Sequence, residues 1–168
     1  WVPNFHDEHA SIVRAAIDVL PGKVVLVAHS GAGSIVSMID PDSVDSIVML
    51  DAIFPDRSAS RFDLFDSAEQ VEMWRCAALG NNGKIPAILF SRLQQLIPDD
   101  SIRRQFVSQL VDIPIELYEE SFSPHDKWGA TDNGYYWQWT STYGADCERA
   151  RKLGLKTFAS SMSHLAMC

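Results

Sequence analysis

Residues 24–33, VVLVAHSGAG, constrain the fold of this 168-residue chain more than any other stretch. The first four residues are apolar and mostly β-branched, and all but one of the last six are small. A short apolar run that stops at small residues predicts a buried strand, a sharp turn and the start of a helix. Such a strand is typical of the centre of a parallel sheet covered on both faces, so we predict an α/β fold. Ser30 then stands at the apex of the turn.

Ser30 has two interpretations. Its surroundings follow the pattern G-x-S-x-G, with Ala28 and Ala32 in place of the outer glycines. In that pattern a strained turn exposes a nucleophilic serine, and small neighbours such as Gly31 and Gly33 keep the following helix close to the strand. The N–H of Gly31, at the helix start, would then donate to a developing oxyanion. The alternative is that Ser30 only caps the helix.

These residues resemble the α/β-hydrolase superfamily, most closely its branch of small serine esterases and hydroxynitrile-lyase-like enzymes. Three segments carry the resemblance in the family's order: VAHSGAG at 27–33, MLDAIFP at 49–55 and SHLAM at 163–167. The resemblance implies a parallel-sheet α/β-hydrolase core with an inserted helical cap. It also implies strand–helix units before the serine strand and a final helix after the last segment. We therefore expect the N-terminal strands to be absent and the chain to be truncated at both ends, the missing strands belonging to a longer protein or to another chain of a homo-oligomer.

The pattern along the chain predicts three parts. Residues 1–54 are expected to form core, with a first helix, the serine strand and its turn, and a second strand. Residues 55–127 lose the strand–helix alternation and are expected to form the helical cap, and residues 128–168 return to the core with the last strands. The first helix is predicted to bury the apolar positions that recur at helical spacing: Ile12, Val13, Ala16, Ile17 and Leu20.

Two cap segments have helical periodicity, 67–79 and 101–111, the second with Asp99 or Asp100 as its N-cap. Their apolar side chains need a partner. Three residues are candidates for a substrate pocket over the serine, although they would equally serve to pack the cap on itself: Trp74, Phe90 and Leu93.

A serine hydroxyl is a poor nucleophile at neutral pH, so it needs a base, and the base needs a third group that holds its tautomer. Histidine suits the role because its pKa lies near working pH. Of the five histidines, His164 follows the last predicted strand in the family's position. His29 lies inside the turn and is expected to point away, and the remaining three are assigned to an outer helix or the cap linker: His6, His9 and His125.

Two aspartates compete for the third role. Asp51 ends the apolar strand after the serine turn, where a carboxylate is costly unless it is paired. Asp146 follows the next predicted strand, where most members of the superfamily keep their acid, but it is also well placed to cap a helix over 146–153. We rank Asp51 first, with Asp146 as the alternative.

Charge and composition limit the kinds of partner that the protein is expected to bind. A net charge of −8 argues against nucleic acid and against an anionic membrane surface. No apolar run approaches the roughly 20 residues that span a bilayer. Three cysteines without C-x-x-C spacing favour a reduced, cytoplasmic protein. His6 and His9 have a spacing that would suit a metal, but no third ligand is evident, so neither a metal nor a cofactor is expected.

The leading hypothesis is a cofactor-free serine hydrolase that cleaves small-molecule carboxylic esters or related acyl compounds. An alternative uses the same residues for carbon–carbon cleavage, as in hydroxynitrile-lyase-like relatives, which usually need an active-site lysine. Lys127, in the cap linker, has no strong claim to that role. A third hypothesis is a non-catalytic hydrolase-like fragment kept for binding, since the second oxyanion donor of the family comes from a strand that this sequence lacks.

Overall fold

A computed structural model describes residues 4–65, 67–87, 93–94, 96–129 and 132–166. Helices alternate with strands at both ends of the chain, and helices predominate in the middle. In chain order the elements are α1 (Phe5–Val19), β1 (Val25–Ser30), α2 (Gly33–Val36), β2 (Ser46–Ala52), α3 (Ala68–Leu79), β3 (Lys84–Ile85), α4 (Asp100–Ser108), β4 (Ile113–Pro114), α5 (Glu116–Glu119), β5 (Gly134–Gln138), α6 (Gly144–Lys152) and β6 (Lys156–Ala159).

The main sheet is parallel throughout its described part, with the strand order β1-β2-β5-β6. Strand β2 is the buried centre, because Ile47 and Met49 are essentially inaccessible and β1 and β5 pair on either side of it. All four strands run the same way, so their carboxyl ends meet at one edge. The predicted α/β fold is therefore confirmed.

Strand β1 differs from its prediction as a strand covered on both faces. Among the described residues it pairs with β2 alone. Val25 and Val27 are 56% and 51% exposed, whereas Ala28 on the other face is fully buried. The apolar run forms a strand as expected, but only one of its faces has a helix packed against it here.

Helix α1 packs on the segment that follows the serine turn. Its buried side is formed by His6, Ala10 and Ile17, of which Ala10 and Ile17 cluster with Ile35 and Ile39. The predicted face was wrong at three positions that are exposed in the structure: Ile12, Ala16 and Leu20. Hydrophobic spacing alone did not locate the buried stripe because small Ala10 and a histidine occupy the closest approach.

The middle segment, 55–127, contains the two predicted helices as α3 and α4, each within a few residues of its predicted bounds. Ser67 caps α3 by accepting from the N–H of Gln70, and Asp99 caps α4 by accepting from the N–H groups of Ser101 and Ile102. A short antiparallel pair, β3 with β4, connects the ends of these helices. None of the helices in the described ranges is long and apolar enough to cross a lipid bilayer.

Helix α6 begins at Gly144, two residues before the predicted start. Asp146 is therefore inside its first turn and not its N-cap, a position that Tyr143 occupies. The helix ends where predicted, with Gly154 at a φ of +94° just after the C-cap. Glycine adopts this left-handed conformation without a Cβ penalty, which is why it terminates helices.

Candidate active site

Ser30 occupies a strained turn at the end of β1. Its φ is +55°, a region that residues with a Cβ rarely adopt, and the pairing of β1 with β2 shifts between His29 and Ser30. Gly33 permits the turn, since a Cβ there would lie 1.9 Å from the carbonyl oxygen of Ile53. The close approach thus falls at Gly33, while Ala32, which stands in place of the outer glycine of the pattern, is exposed.

The structure brings Ser30, His164 and Asp51 together. His164 Nε2 lies 3.0 Å from Ser30 Oγ, and His164 Nδ1 lies 2.7 Å from Asp51 Oδ2. A carboxylate only accepts, so Nδ1 carries the proton and Nε2 accepts from the serine hydroxyl. This order of hydrogen bonds allows an imidazole to take a proton from a serine.

Asp51 is held as an anion at the end of β2. It is fully buried, and its φ is +42°. Oδ1 accepts from the N–H groups of Trp139 and Thr140 at 2.8 and 2.9 Å, and Oδ2 accepts from the Thr140 hydroxyl at 2.8 Å. Burial by itself would raise the pKa of Asp51, but the hydrogen bonds from Thr140, His164 and Trp139 outweigh it and hold that pKa below its usual range.

Asp146, the alternative acid, has different partners. Its Oδ1 accepts from the N–H of Phe54 at 2.7 Å and pairs with the Arg149 guanidinium at 2.6 Å. Because Asp51 already satisfies Nδ1 of His164, that ring nitrogen has no place for a second carboxylate. Asp146 instead ties the start of α6 to the loop after β2.

Two aromatic side chains support the serine and the histidine. The Tyr143 hydroxyl lies 3.1 Å from Ser30 Oγ, and its ring stacks on His164 at 5.1 Å and 11°. Since the serine proton is directed to His164, the tyrosine hydroxyl is the donor in this contact. Burial raises the pKa of Tyr143, so the hydroxyl keeps its proton. His29 Nε2 donates to the carbonyl oxygen of His164 at 2.7 Å, and so it holds the loop of that residue.

A cavity of about 240 Å³ opens beside Ser30 and Gly31. Its described wall combines the ends of the core strands and helices with residues of 55–127: Ile53, Arg61, Leu64, Phe65, Gln70, Trp74, Tyr118, Thr142, Tyr143 and Asp146. Of the three predicted pocket residues, Trp74 lines it. Leu93 is fully buried and is not part of its described wall. Phe90 lies outside the described residues.

Two other polar residues that the sequence analysis discussed, His6 and Lys127, lie apart from Ser30, His164 and Asp51. His6 was predicted to be on the surface and is buried, 1% exposed and stacked on Phe122 at 4.7 Å. Lys127 is exposed and pairs with Asp42 and Asp40. Within the described parts of the chain, no cluster of three or more potential ligands could hold a metal ion.

Arg61, Tyr143 and Thr140 were not predicted. Arg61 lies in the middle segment, 31 positions after the serine, and has no motif around it. Tyr143 and Thr140 follow β5, whose carboxyl end lies at the same edge as those of β1 and β2. That position after a parallel strand is the one signal that could have identified them.

Solved structures match nearly the whole chain. An extracellular α/β-hydrolase from a Paenibacillus species, described as sharing structural and functional homology with tobacco salicylic acid binding protein 2, aligns with a TM-score of 0.74 and 18% identity over 95% of this chain and 72% of that one. A structure of PytH aligns with a TM-score of 0.63 and 14% identity over 96% of this chain and 72% of that one. Another, described as the pyrethroid hydrolase PytH, aligns with a TM-score of 0.57 and 13% identity over 95% of this chain and 70% of that one.

No protein-family model and no curated protein matches the chain by sequence. The likeness of this chain to known proteins is therefore a likeness of structure. It consists of the parallel sheet, the strand–turn–helix around Ser30 and alignments that cover more than nine-tenths of the chain. On these grounds, the chain has the α/β-hydrolase fold.

Proposed function

We propose that the protein is a serine hydrolase that cleaves carboxylic esters or related acyl compounds. The observation that carries the proposal is the chain of hydrogen bonds from Asp51 through His164 to Ser30, at 2.7 and 3.0 Å. A chance serine cap would not need an imidazole at this distance, nor a buried carboxylate behind it. Solved structures with the same fold include proteins described as hydrolases, which agrees with the proposal.

In the first half of the proposed reaction, Ser30 Oγ attacks the ester carbonyl carbon while its proton passes to His164 Nε2. Asp51 stabilises the imidazolium and remains ionised. The C–O bond to the alcohol then breaks, and the alcohol leaves with the proton from Nε2. An acyl group is now esterified to Ser30.

In the second half, a water molecule attacks the acyl carbon and gives a proton to Nε2. The bond to Ser30 Oγ breaks, Oγ recovers that proton, and the carboxylic acid is released. One water is consumed for each ester, with no oxidant or reductant.

Two donors would stabilise the oxyanion in both halves. The N–H of Gly31 follows the serine directly, the usual position for one donor. The hydroxyl of Tyr143, 3.1 Å from Ser30 Oγ, is within reach of an oxygen on a carbon bonded to Oγ. We assign Tyr143 the place of the second donor, which the sequence alone did not supply.

Residues 55–127 would act as the cap, because Trp74, Phe65 and Tyr118 from this segment line the cavity next to Ser30. The substrate is proposed to be a small molecule that enters this cavity. A carbon–carbon lyase has less support, since Lys127 is exposed and paired with Asp42. Cyanide release from mandelonitrile would detect that activity.

A fluorophosphonate probe tests the nucleophile. We expect the wild-type protein to be labelled and Ser30→Ala to be unlabelled, while Ser108→Ala, which removes an exposed hydroxyl at the end of α4, is labelled like wild type. Turnover of a p-nitrophenyl ester should follow the same pattern. Labelling that persists in Ser30→Ala would contradict the role of Ser30 and indicate another nucleophile. A folded wild-type protein with turnover at the level of buffer would contradict the proposal and favour a non-catalytic binding protein.

A further inference from the structure

Arg61 places a buried positive charge in the wall of the cavity beside Ser30. The residue is 8% exposed. Its Nη2 donates to the carbonyl oxygen of Gly31 at 3.0 Å and to Ser34 Oγ at 3.1 Å. Its guanidinium also lies over the ring of Tyr118, 5.4 Å from the centroid. These partners are neutral, so they orient the charge without balancing it.

No carboxylate among the described residues forms an ion pair with Arg61. Asp63, two residues along the chain, accepts hydrogen bonds from Ser60. Glu120, whose charge acts on Arg61, accepts from the N–H groups of Phe5 and His6. Burial lowers the pKa of Arg61, the sign that water no longer solvates the charge fully. A buried charge is costly unless an opposite charge reaches it.

Most donors of the guanidinium are engaged by neutral groups, and a hydrogen bond with the Tyr118 side chain partly offsets the effect of burial on the pKa of Arg61. Nε and Nη2 contact Ser34 Oγ and the Gly31 carbonyl, whereas Nη1 lies toward Gly31, 3.2 Å from where a Cβ on that residue would stand. Gly31 borders the cavity directly after the serine. A carboxylate that reaches Nη1 from the cavity would supply the negative charge that the neutral partners of the guanidinium lack.

We propose that the substrates of this site are esters that carry a carboxylate, and that Arg61 binds that carboxylate. The inference rests on the proposed hydrolase function and names the class of its substrate. The described wall contains polar groups, among them Gln70, Thr142 and Asp146, whose carboxylate pairs with Arg149. It also contains four apolar or aromatic side chains: Ile53, Leu64, Phe65 and Trp74. The matching ligand is therefore an ester with an apolar body and one anionic end.

Paired esters, one anionic and one neutral, test the proposal, and the first pair has the same leaving group in both members. Mono-p-nitrophenyl adipate and p-nitrophenyl hexanoate have acyl chains of equal length and differ in a terminal carboxylate. A second pair, 4-(butanoyloxy)benzoate and phenyl butanoate, places the carboxylate on the alcohol side. We expect the wild-type protein to prefer the anionic member of at least one pair in kcat/KM, and the pair that shows the preference identifies the side of the ester that faces Arg61.

Variants of Arg61 assign the preference to this residue. In Arg61→Met the ratio of kcat/KM for the anionic and neutral esters should fall about tenfold to a hundredfold, the usual worth of a hydrogen bond to a charged group. Arg61→Lys should retain part of the ratio, because it keeps the charge but loses the planar guanidinium. Arg57→Met removes an exposed arginine, whose side chain is 61% accessible, and should leave the ratio unchanged.

The outcomes separate this inference from the proposed function. Equal turnover of both members of each pair by wild type, or preference for the neutral ester, overturns the role of Arg61 while the hydrolase proposal stands. An equal loss for both esters in Arg61→Met shows that the residue only supports the serine turn, and also overturns it. If wild type cleaves no ester and takes up no fluorophosphonate, the proposed function itself is wrong. If Arg61→Met does not fold, the absence of a wild-type preference still overturns the proposal, and Arg61→Lys still tests whether a preference depends on Arg61.

Discussion

Ser30, the last residue of β1, and Asp51, the last but one of the neighbouring parallel strand β2, share an unusual backbone conformation, with φ angles of +55° and +42°. Each such residue costs on the order of 1–3 kcal/mol and persists only where the surroundings impose it. The paired distortions turn both side chains out at one edge of the sheet, where the His164 ring contacts both of them. Backbone strain in two residues that both contact His164 supports a functional site at this edge of the sheet.

The two candidate acids should respond differently to the loss of charge. Asp51→Asn should lower kcat by about 10⁴-fold, because an amide favours the wrong histidine tautomer. Asp146→Asn should keep its kcat per folded molecule and lose about 1–3 kcal/mol of stability, since it weakens the contacts with Phe54 and Arg149. Ester turnover and thermal unfolding of both variants give the comparison. An inactive Asp146→Asn beside an active Asp51→Asn would reverse the assignment.

Tyr143→Phe should lower kcat while KM changes little. The variant keeps the ring that stacks on His164 but loses the hydroxyl at Ser30, and loss of an oxyanion donor costs about 10²–10³ in rate. Tyr135→Phe is the matched control, because Tyr135 lies on β5 with its hydroxyl near Lys156 Nζ, away from the serine. Steady-state kinetics of an ester measure the effect, and an unchanged kcat in Tyr143→Phe would remove the residue from the proposed mechanism.

Gly33→Ala should destabilise the fold by about 1–3 kcal/mol or more, the usual range for overpacking. The new Cβ would stand 1.9 Å from the Ile53 carbonyl oxygen, and a backbone atom has little freedom to move. Gly80→Ala is the control, with its nearest atom at 3.6 Å and an ordinary helical φ of −72° at the end of α3. Urea unfolding of both variants tests this, and equal midpoints would show that the turn can relax.

His6 should make stability depend on pH. Burial and the charge of Arg61 lower its pKa, and nearby Glu120 offsets this only in part. Below the ordinary histidine pKa of about 6.5, the unfolded chain therefore binds a proton that the folded chain does not, so the free energy of unfolding falls as pH falls through that region. His6→Phe keeps the stacking with Phe122 and removes the titration.

Chemical denaturation at pH 8 and pH 5 measures this difference. Wild type should lose more stability than His6→Phe between the two values. The same loss in both proteins would mean that other groups carry the pH dependence.

The local sequence pattern was enough to predict much of the secondary structure of the chain. The apolar run before Ser30 gave a strand, the small residues after it gave a tight turn, and helical periodicity identified α3 and α4. Asp51 was predicted from its position at the end of an apolar strand and His164 from the resemblance to α/β-hydrolases, and the structure places His164 between Asp51 and Ser30. The strand, turn and helices depend on neighbours in sequence, and the meeting of strand ends follows from one rule, that parallel strands end at a common edge.

Tertiary structure alone decided what surrounds that contact. Tyr143 lies 113 positions from Ser30, with its place after β5 as the one signal, and Arg61 lies 31 positions away with no local signal that it meets the serine turn. Asp146 became a structural residue because Phe54 and Arg149 lie next to it. Strand, turn and helix formation follow from short-range sterics and periodicity, whereas the partner of a buried charge or hydroxyl depends on which distant segments the folded chain packs together.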